Sequence, residues 1–422
     1  MKDNEIEALI ELVETSQNTD TLWQSTESLV KIGTGNPKAI EGLIKVLETA
    51  RNDYTRTRVA LSLGTIDPGN PKAIKALIKV LETFLDGHTL RQAAQSLGKI
   101  GTGNPKAIEG LIKVLETTQY DYNRRQAAQS LGNIGTGNPK AIEGLIKVLE
   151  TNQNDDTRNL AAQSLGKIGT GNPKAIEALI KVLETTPNDY TPWQAIESLG
   201  KIGTGNPKAI EGLIKVLETP QNYDILWISA ESLGRIDPGN PKAIETLIKL
   251  LETTPNDFTP WNAIESLVKI GTGNPKAIEA LIKVLETTPN EGTRMTAAES
   301  LGRIDPGNPK AIEALIKVLE TTPNDFTRMT TAESLGRIDP GNPKAIEALI
   351  KVLETTQNDD TRVRAALSLG RIDPGNPKAV EALIKVLETT QDVCIRRHAA
   401  QRLEKISTGN PKAIEALIKA RE

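Results

Sequence analysis

The sequence predicts an all-α protein built from repeated pairs of helices. The dipeptide Asn-Pro recurs every 34 residues, from Asn36 to Asn410, without an insertion or a deletion. Between these points, apolar residues recur at helical spacing in two segments that a polar stretch separates. Aromatic residues make up only 3% of the chain, so the core must consist of Leu, Ile, Val and Ala. Twelve helical pairs and one terminal helix account for all 422 residues.

The first helix of each pair is illustrated by the repeat at residues 138–171. Asn138 is suited to the N-cap, and Pro139 to the first helical position, where a missing N–H costs nothing. Glu143 and Lys147 are spaced for an i,i+4 ion pair on the outer face. The apolar stripe that follows the cap consists of Ala141, Ile142, Leu145, Ile146 and Leu149.

The second helix of this repeat is predicted to start near Thr157, after the polar run 151–156 has ended the first. Its inward-facing residues are Ala161, Ala162, Leu165 and Ile168. A Gly-Thr-Gly sequence ends the helix, and Gly171 can adopt the left-handed conformation there. In five repeats Asp-Pro-Gly takes this place, as at Asp237, and its proline stops the helix equally well.

The spacing predicts a single array without a linker over residues 1–422. Residues 1–35 form an N-terminal capping repeat, residues 36–409 form eleven regular repeats, and residues 410–422 form a C-terminal capping helix.

The second helix carries a family resemblance. A period of 34 residues is also that of tetratricopeptide repeats, but their Trp, Gly-Tyr and Phe positions are absent. Residues 157–168 read Thr-Arg-x-x-Ala-Ala-x-x-Leu-Gly-x-Ile, which resembles bacterial HEAT-like repeats of the phycobilisome-lyase type, and the match runs along essentially the whole chain. Thr precedes the Arg where that family prefers Val, and Pro192 and Pro260 replace the Arg. The resemblance implies an open right-handed α-solenoid with its second helices on the concave side.

Differences among the repeats concentrate at the start of the second helix. One position, 21 residues after the Asn, holds Trp23, Trp193, Trp227, Trp261, Met295, Met329, Arg91 and Arg125. Three residues earlier lie Tyr54, Tyr122, Tyr190, Phe258 and Phe326. Four residues after the tryptophans lie Glu197, Glu231 and Glu265.

Helical geometry places the tryptophan and glutamate positions on the face opposite the Ala, Leu and Ile positions. We therefore predict a partner-binding surface, while packing of each Trp across the seam to the next repeat remains the alternative. Along the chain the predicted surface is basic, then apolar with a row of acids from Glu197 to Glu333, then basic again. The basic residues are Arg58, Arg91, Arg124 and Arg125 at one end and Arg362, Arg364, Arg396 and Arg397 at the other.

Composition argues against several functions. The 51 Lys and Arg nearly balance the 54 Asp and Glu, which disfavours binding to nucleic acid or an anionic membrane. No apolar run approaches the ~18 residues of a membrane span. Cys394, His88 and His398 are too few for a metal site, and Gly-Thr-Gly-Asn-Pro-Lys is better explained as a repeat junction than as a phosphate loop. We expect a soluble cytoplasmic protein, monomeric, with no metal and no cofactor.

These observations predict a non-enzymatic scaffold that binds a protein or peptide on its concave surface. The resemblance leaves two alternatives open. One is a chromophore-handling protein like the HEAT-like phycobilin lyases, which would need a deep pocket. The other is a sensor array like the repeat tails of NACHT-type ATPases, here without the ATPase.

Overall fold

The computed structural model describes residues 2–83, 87–185, 190–218, 223–253, 259–406 and 409–420. Over these residues the chain forms twenty-five α-helices and no strand, which confirms the predicted helical pairs. The handedness and the open ends of the solenoid stay predictions. The chain divides into two compact units, Met1–Leu213 and Ile214–Glu422, and the division falls inside α13 (Pro207–Glu218).

In the Met1–Leu213 unit the helices are α1 (Lys2–Thr15), α2 (Thr19–Gly33), α3 (Pro37–Thr49), α4 (Asp53–Ile66), α5 (Pro71–Thr83), α6 (Gly87–Ile100), α7 (Pro105–Thr117), α8 (Asp121–Ile134), α9 (Pro139–Thr151), α10 (Asp155–Ile168), α11 (Pro173–Thr185) and α12 (Tyr190–Ile202). In the Ile214–Glu422 unit they are α14 (Tyr223–Ile236), α15 (Pro241–Thr253), α16 (Thr259–Ile270), α17 (Pro275–Thr287), α18 (Glu291–Ile304), α19 (Pro309–Thr321), α20 (Asp325–Ile338), α21 (Pro343–Thr355), α22 (Asp359–Ile372), α23 (Pro377–Thr389), α24 (Val393–Ile406) and α25 (Pro411–Lys419).

Asparagine caps begin most of the helices described. The Asn138 side chain accepts hydrogen bonds from the backbone N–H groups of Lys140 and Ala141, at 3.0 and 3.1 Å, so the predicted cap of α9 is confirmed. The second helix α10 begins at Asp155, two residues before the predicted start. The reason is Asn154, whose side chain accepts the N–H of Thr157 at 3.0 Å and so caps the helix earlier.

Each repeat ends on a glycine in the left-handed region. Gly171 has φ 68°, as predicted, and its N–H donates to the carbonyl oxygen of Ile202 in the following repeat at 3.1 Å. Equivalent bonds of 2.7–3.1 Å link Gly103 to Ile134, Gly137 to Ile168, Gly239 to Ile270, Gly273 to Ile304, Gly307 to Ile338 and Gly341 to Ile372. Each of these bonds between successive repeats involves backbone atoms only.

The core lies between a layer of first helices and a layer of second helices. Leu145 of α9 and Leu165 of α10 are fully buried, as the apolar stripes predict. Within each unit, second helices pack against one another more extensively than first helices do. We call the exposed face of the second helices the inner surface. At α25, Ile414 and Ile418 are exposed, and the capping role of residues 410–422 stays a prediction.

A glycine–serine contact sets the spacing of neighbouring second helices. Gly132 of α8 lies so close to Ser164 of α10 that an added Cβ would be 2.5 Å from the serine Oγ. The same contact joins Gly64 to Ser96, Gly98 to Ser130, Gly166 to Ser198, Gly302 to Ser334 and Gly336 to Ser368. Val30, Val268 and Glu404 replace the glycine in three repeats. At the two valines, α2 packs less extensively on α4 and α16 on α18.

Ion pairs on the outer face connect first helices of successive repeats. Lys147 pairs with Glu116 of the preceding repeat at 2.9 Å, so the predicted pair with Glu143 was wrong. The carboxylate 31 residues earlier is the nearer partner because the adjacent first helix holds it beside the lysine. The same spacing pairs Lys79 with Glu48, Lys181 with Glu150, Lys283 with Glu252, Lys317 with Glu286 and Lys351 with Glu320.

A second row of such pairs is interrupted where a lysine replaces the glutamate. Lys140 pairs with Glu109 at 2.7 Å, and this hydrogen bond and the lysine charge lower the pKa of Glu109 below its ordinary value. One step earlier in the row, Lys75 replaces the glutamate and would face Lys106. In the described residues neither of these two lysines forms an ion pair.

Lys75→Glu is therefore expected to pair with Lys106 and to raise the free energy of unfolding by ~0.5 kcal/mol or less, since the groups are exposed. Urea denaturation at low salt should reveal the gain, and high salt should remove it. Lys75→Gln serves as the control, because it removes the repulsion without adding an attraction. A gain that persists in high salt would contradict an electrostatic origin.

Candidate partner-binding surface

Three rows of side chains run across the inner surface of the Ile214–Glu422 unit. They arise because repeat positions four and eight residues apart stack on one face of each second helix. The apolar row consists of Trp227, Trp261, Met295 and Met329. The carboxylate row consists of Glu231, Glu265, Glu299 and Glu333. The cation row consists of Arg235, Lys269, Arg303, Arg337 and Arg371.

The apolar row is open to solvent. Trp261 is 52% exposed and Trp227 is 36% exposed. The Lys269 ammonium lies 5.4 Å from the centre of the Trp227 ring. Met295 and Met329 are half-buried on the following repeats. Phe326, at the start of α20, is 66% exposed. Large apolar groups thus stand available for contact at neighbouring repeats of this unit.

In the Met1–Leu213 unit, Trp23 and Tyr54 are exposed near the first repeats, and Trp193 of α12 is half-buried. The Arg58 guanidinium lies 3.3 Å from the centre of the Trp23 ring, a cation–π contact. Partial burial lowers the pKa of Arg58 below its ordinary value, while Tyr54 and Glu27 oppose this effect. Arg58 therefore covers part of the Trp23 ring and is not only a surface charge.

Tyr122 packs across the boundary between two repeats, the arrangement considered as the alternative for the tryptophans. Its ring stacks on Tyr120 at 5.3 Å and on His88 of the preceding repeat at 6.2 Å between ring centres. Its hydroxyl occupies the space beside Gly87 that a side chain there would need. The side chain of Tyr190 and the whole of Phe258 lie outside the described residues.

The predicted basic ends of the surface need correction. Arg124 does not face outward with its neighbour: its Nη2 donates to the Thr118 carbonyl at 2.6 Å, its Nε donates to the Leu115 carbonyl at 3.3 Å, and Asp121 pairs with it. The same tie to the turn between helices removes Arg362 and Arg396 from the predicted surface. Arg56, Arg294 and Arg328 occupy the same repeat position and donate to a carbonyl oxygen of the turn in the same way.

The other predicted basic residues remain at the surface. Arg91 and Arg397 are exposed. Arg125 is half-buried and pairs with Asp156 of the next repeat at 2.6 Å.

The predicted acidic residues are neutralised by the chain itself. Glu197 pairs with Lys201 at 2.7 Å, and Glu231 pairs with Lys269 of the following repeat at 3.4 Å. Glu265 pairs with Arg303 of the following repeat at 3.3 Å. These three glutamate side chains are 22–26% exposed, whereas the basic partners just named are 38–42% exposed.

The surface thus presents cations more openly than carboxylates. Glu299 is the exception: it is exposed and forms no ion pair within the described part of the chain.

Arg337 and Arg371 are surface residues that the sequence pattern did not single out. The signal was present, because their repeat position is basic in ten of the twelve repeats. Lys201, Arg235 and Lys269 hold the same position, which helical geometry places on the outward face with the glutamates.

Other kinds of site find little support in the described residues. No cluster of three or more His, Cys, Asp or Glu side chains there could hold a metal ion. None of the helices described is long and apolar enough to cross a membrane. A cavity of about 550 Å³ lies between first helices, where Glu245 and Glu252 line it already paired with Lys276 and Lys283.

Layered helical pairs whose outer helices repeat and whose inner surface varies define the class of α-solenoid repeat proteins. The family model for HEAT repeats matches residues 40–132, 108–200, 142–234, 176–268, 210–302, 259–336, 278–370 and 346–422. The chain belongs to the HEAT repeat family. A comparison with curated proteins finds no match.

Solved structures show the same fold at low sequence identity. The chain is similar to Kap121p bound to Nup53p, with a TM-score of 0.66, 14% identity and coverage of 99% of this chain and 51% of that one. It is also similar to Kap95p in complex with RanGDP, with a TM-score of 0.63, 14% identity and coverage of 99% and 62%. For Kap121p bound to RanGTP the TM-score is 0.58, the identity 13% and the coverage 99% and 55%. The chain therefore spans about half to three-fifths of these proteins.

Proposed function

We propose that this protein is a non-enzymatic scaffold that binds a protein or peptide segment on the inner surface of its second helices. The observation that carries the proposal is the apolar row. Trp227 and Trp261 occupy one repeat position, stand 36% and 52% exposed, and belong to repeats whose outer helices are almost identical. A core requirement would not produce exposed indoles at that position.

The structural neighbours support a binding role without specifying a partner. Kap121p is bound to Nup53p in one solved structure and to RanGTP in another, so this fold holds proteins. Large aromatic side chains dominate binding energy at protein interfaces, and removing one typically costs ~2 kcal/mol or more. Successive repeats lie ~10 Å apart, so their rings can contact every third residue of an extended segment or residues two turns apart on a helix.

The test is an affinity comparison between the intact chain and the variant Trp193→Ala/Trp227→Ala/Trp261→Ala. Partners captured from native lysate by the intact chain are identified, purified and titrated against both proteins. We expect the triple variant to bind at least about a hundredfold more weakly, because it loses the aromatic anchors.

The matched control is Glu245→Ala/Glu279→Ala/Glu313→Ala, which removes three exposed side chains from outer helices. This control should retain full affinity. A partner that binds the folded triple-tryptophan variant as tightly as the intact chain would refute the proposal.

A further inference from the structure

One carboxylate on the inner surface is surrounded by three arginines. Glu333 of α20 lies 2.8 Å from Arg337 on the same helix. It also lies 3.1 Å from Arg364 and 4.0 Å from Arg371, both on α22. The glutamate side chain is 24% exposed, whereas the three arginine side chains are 40–44% exposed. The group as a whole carries two surplus positive charges.

The surplus has a simple origin in the sequence. In the next repeat the position of Glu333 is taken by Leu367, which is buried. The carboxylate row therefore ends at α20, whereas the cation row continues to Arg371 on α22, and Arg364 adds a further charge. Asp360, one turn before Arg364, forms no ion pair with it in the described part of the chain.

The three arginines also carry more hydrogen-bond donors than Glu333 can accept. A carboxylate accepts far fewer hydrogen bonds than three guanidiniums can donate, and guanidinium groups bind carboxylate and phosphoryl oxygens in bidentate geometry. Arg364 donates one hydrogen bond to Glu333, at 3.1 Å. The side chains of this arginine cluster, here defined as Arg337, Arg364 and Arg371, are 40–44% exposed, so donors that Glu333 does not use remain accessible.

We infer that the arginine cluster is a subsite for an acidic side chain of the bound peptide, either a carboxylate or a phosphorylated residue. The inference rests on the proposed function. Met329 lies one turn before Glu333 on α20, and the exposed Phe326 lies three residues earlier. A segment that places an apolar residue on Met329 and Phe326 reaches the cluster ~12 Å away, since Met329 and Arg337 are eight residues apart on one helix.

Charge complementarity favours a peptide over a nucleic acid. A continuous phosphate backbone crossing this surface would meet the carboxylate row, including the unpaired Glu299, at neighbouring repeats. A peptide can place discrete acidic residues on the arginines and apolar residues on the apolar row. From the sequence alone, the glutamates would favour Lys or Arg in the partner, but their pairing within the chain leaves the arginines more available.

The test uses the full chain and random linear peptides displayed for selection. Peptides enriched on the intact chain are synthesised and titrated by fluorescence anisotropy against Arg364→Gln/Arg371→Gln. The control is Lys344→Gln/Lys351→Gln, which removes two exposed positive charges from α21 on the outer face. We expect enriched peptides to combine acidic with apolar residues, and the arginine variant to bind them about tenfold or more weakly while the control binds normally.

The remaining outcomes are also informative. Replacing the critical acidic residue by phosphoserine distinguishes the two sources: tighter binding identifies a phosphorylated partner, and equal or weaker binding identifies a carboxylate. Enrichment of basic peptides, unchanged affinity in the folded arginine variant, or displacement of the peptide by single-stranded DNA at equal affinity would overturn the inference. If Trp227→Ala/Trp261→Ala abolishes binding while the arginine variant does not, only the inference about the cluster fails. Failure to enrich any peptide counts against the proposed function itself.

Discussion

Gly132→Ala is expected to lower the free energy of unfolding by about 1–2 kcal/mol. The added Cβ would lie 2.5 Å from the Oγ of Ser164 and 3.0 Å from its Cα, so the backbone of α10 must move away. Overpacking of this kind costs ~1–3 kcal/mol, which outweighs the ~1 kcal/mol that alanine gains over glycine within a helix. Urea denaturation followed by circular dichroism measures the loss, and hydrogen exchange should localise it to α8 and α10.

Gly234→Ala is the matched control, because Gly234 occupies the same repeat position on α14. There an added Cβ would meet its nearest neighbours at 3.4–3.6 Å, which is ordinary van der Waals contact. The variant is expected to be neutral or more stable by up to ~1 kcal/mol, owing to helix propensity alone. Equal losses at both glycines would show that the glycine–serine contact does not set the spacing of the second helices.

Arg124→Leu, as a single variant, is expected to lower the free energy of unfolding by ~2 kcal/mol. This is the typical loss when a charged hydrogen-bonding group is removed from a partly buried site. Its guanidinium holds the carbonyl oxygens of Leu115 and Thr118 and is only 18% exposed. Leucine occupies the equivalent position at Leu226, so the residue itself is compatible with the helix. Thermal and urea denaturation both report the loss.

The neighbouring arginine provides the control. Arg125 forms one ion pair with Asp156, and its side chain is 36% exposed, so Arg125→Leu should cost well under 1 kcal/mol. If the two variants lose the same stability, the tie between Arg124 and the turn contributes nothing beyond an ordinary surface charge.

Local patterns predicted the repeated parts of this fold well. The period reveals directly the residues that shape or bind the backbone. Asn138 and Pro139 begin α9, and Gly171 takes a positive φ at the end of the repeat. The start of α10 differed because Asn154 was counted with the turn, although its side chain can cap a helix as Asn138 does.

The inner surface was harder to predict because its charges pair between repeats. Adjacent in sequence, Arg124 and Arg125 look alike, yet the first turns toward the loop and the second toward the next repeat. Glu265 meets Arg303, 38 residues away, and such a partner depends on how closely two helices pack. The period locates the variable positions, but the spacing of the helices decides which of their charges remain available.

The glycine N–H bonds that join successive repeats have an evolutionary consequence. Because the bond runs from Gly137 to the carbonyl of Ile168 through main-chain atoms alone, it does not depend on which side chains the two repeats carry. A gene segment encoding one whole repeat can therefore be duplicated, lost or exchanged for another, and the new junction closes with the same bond. The inner surface can then change its length and its order of residues by recombination as well as by point mutation.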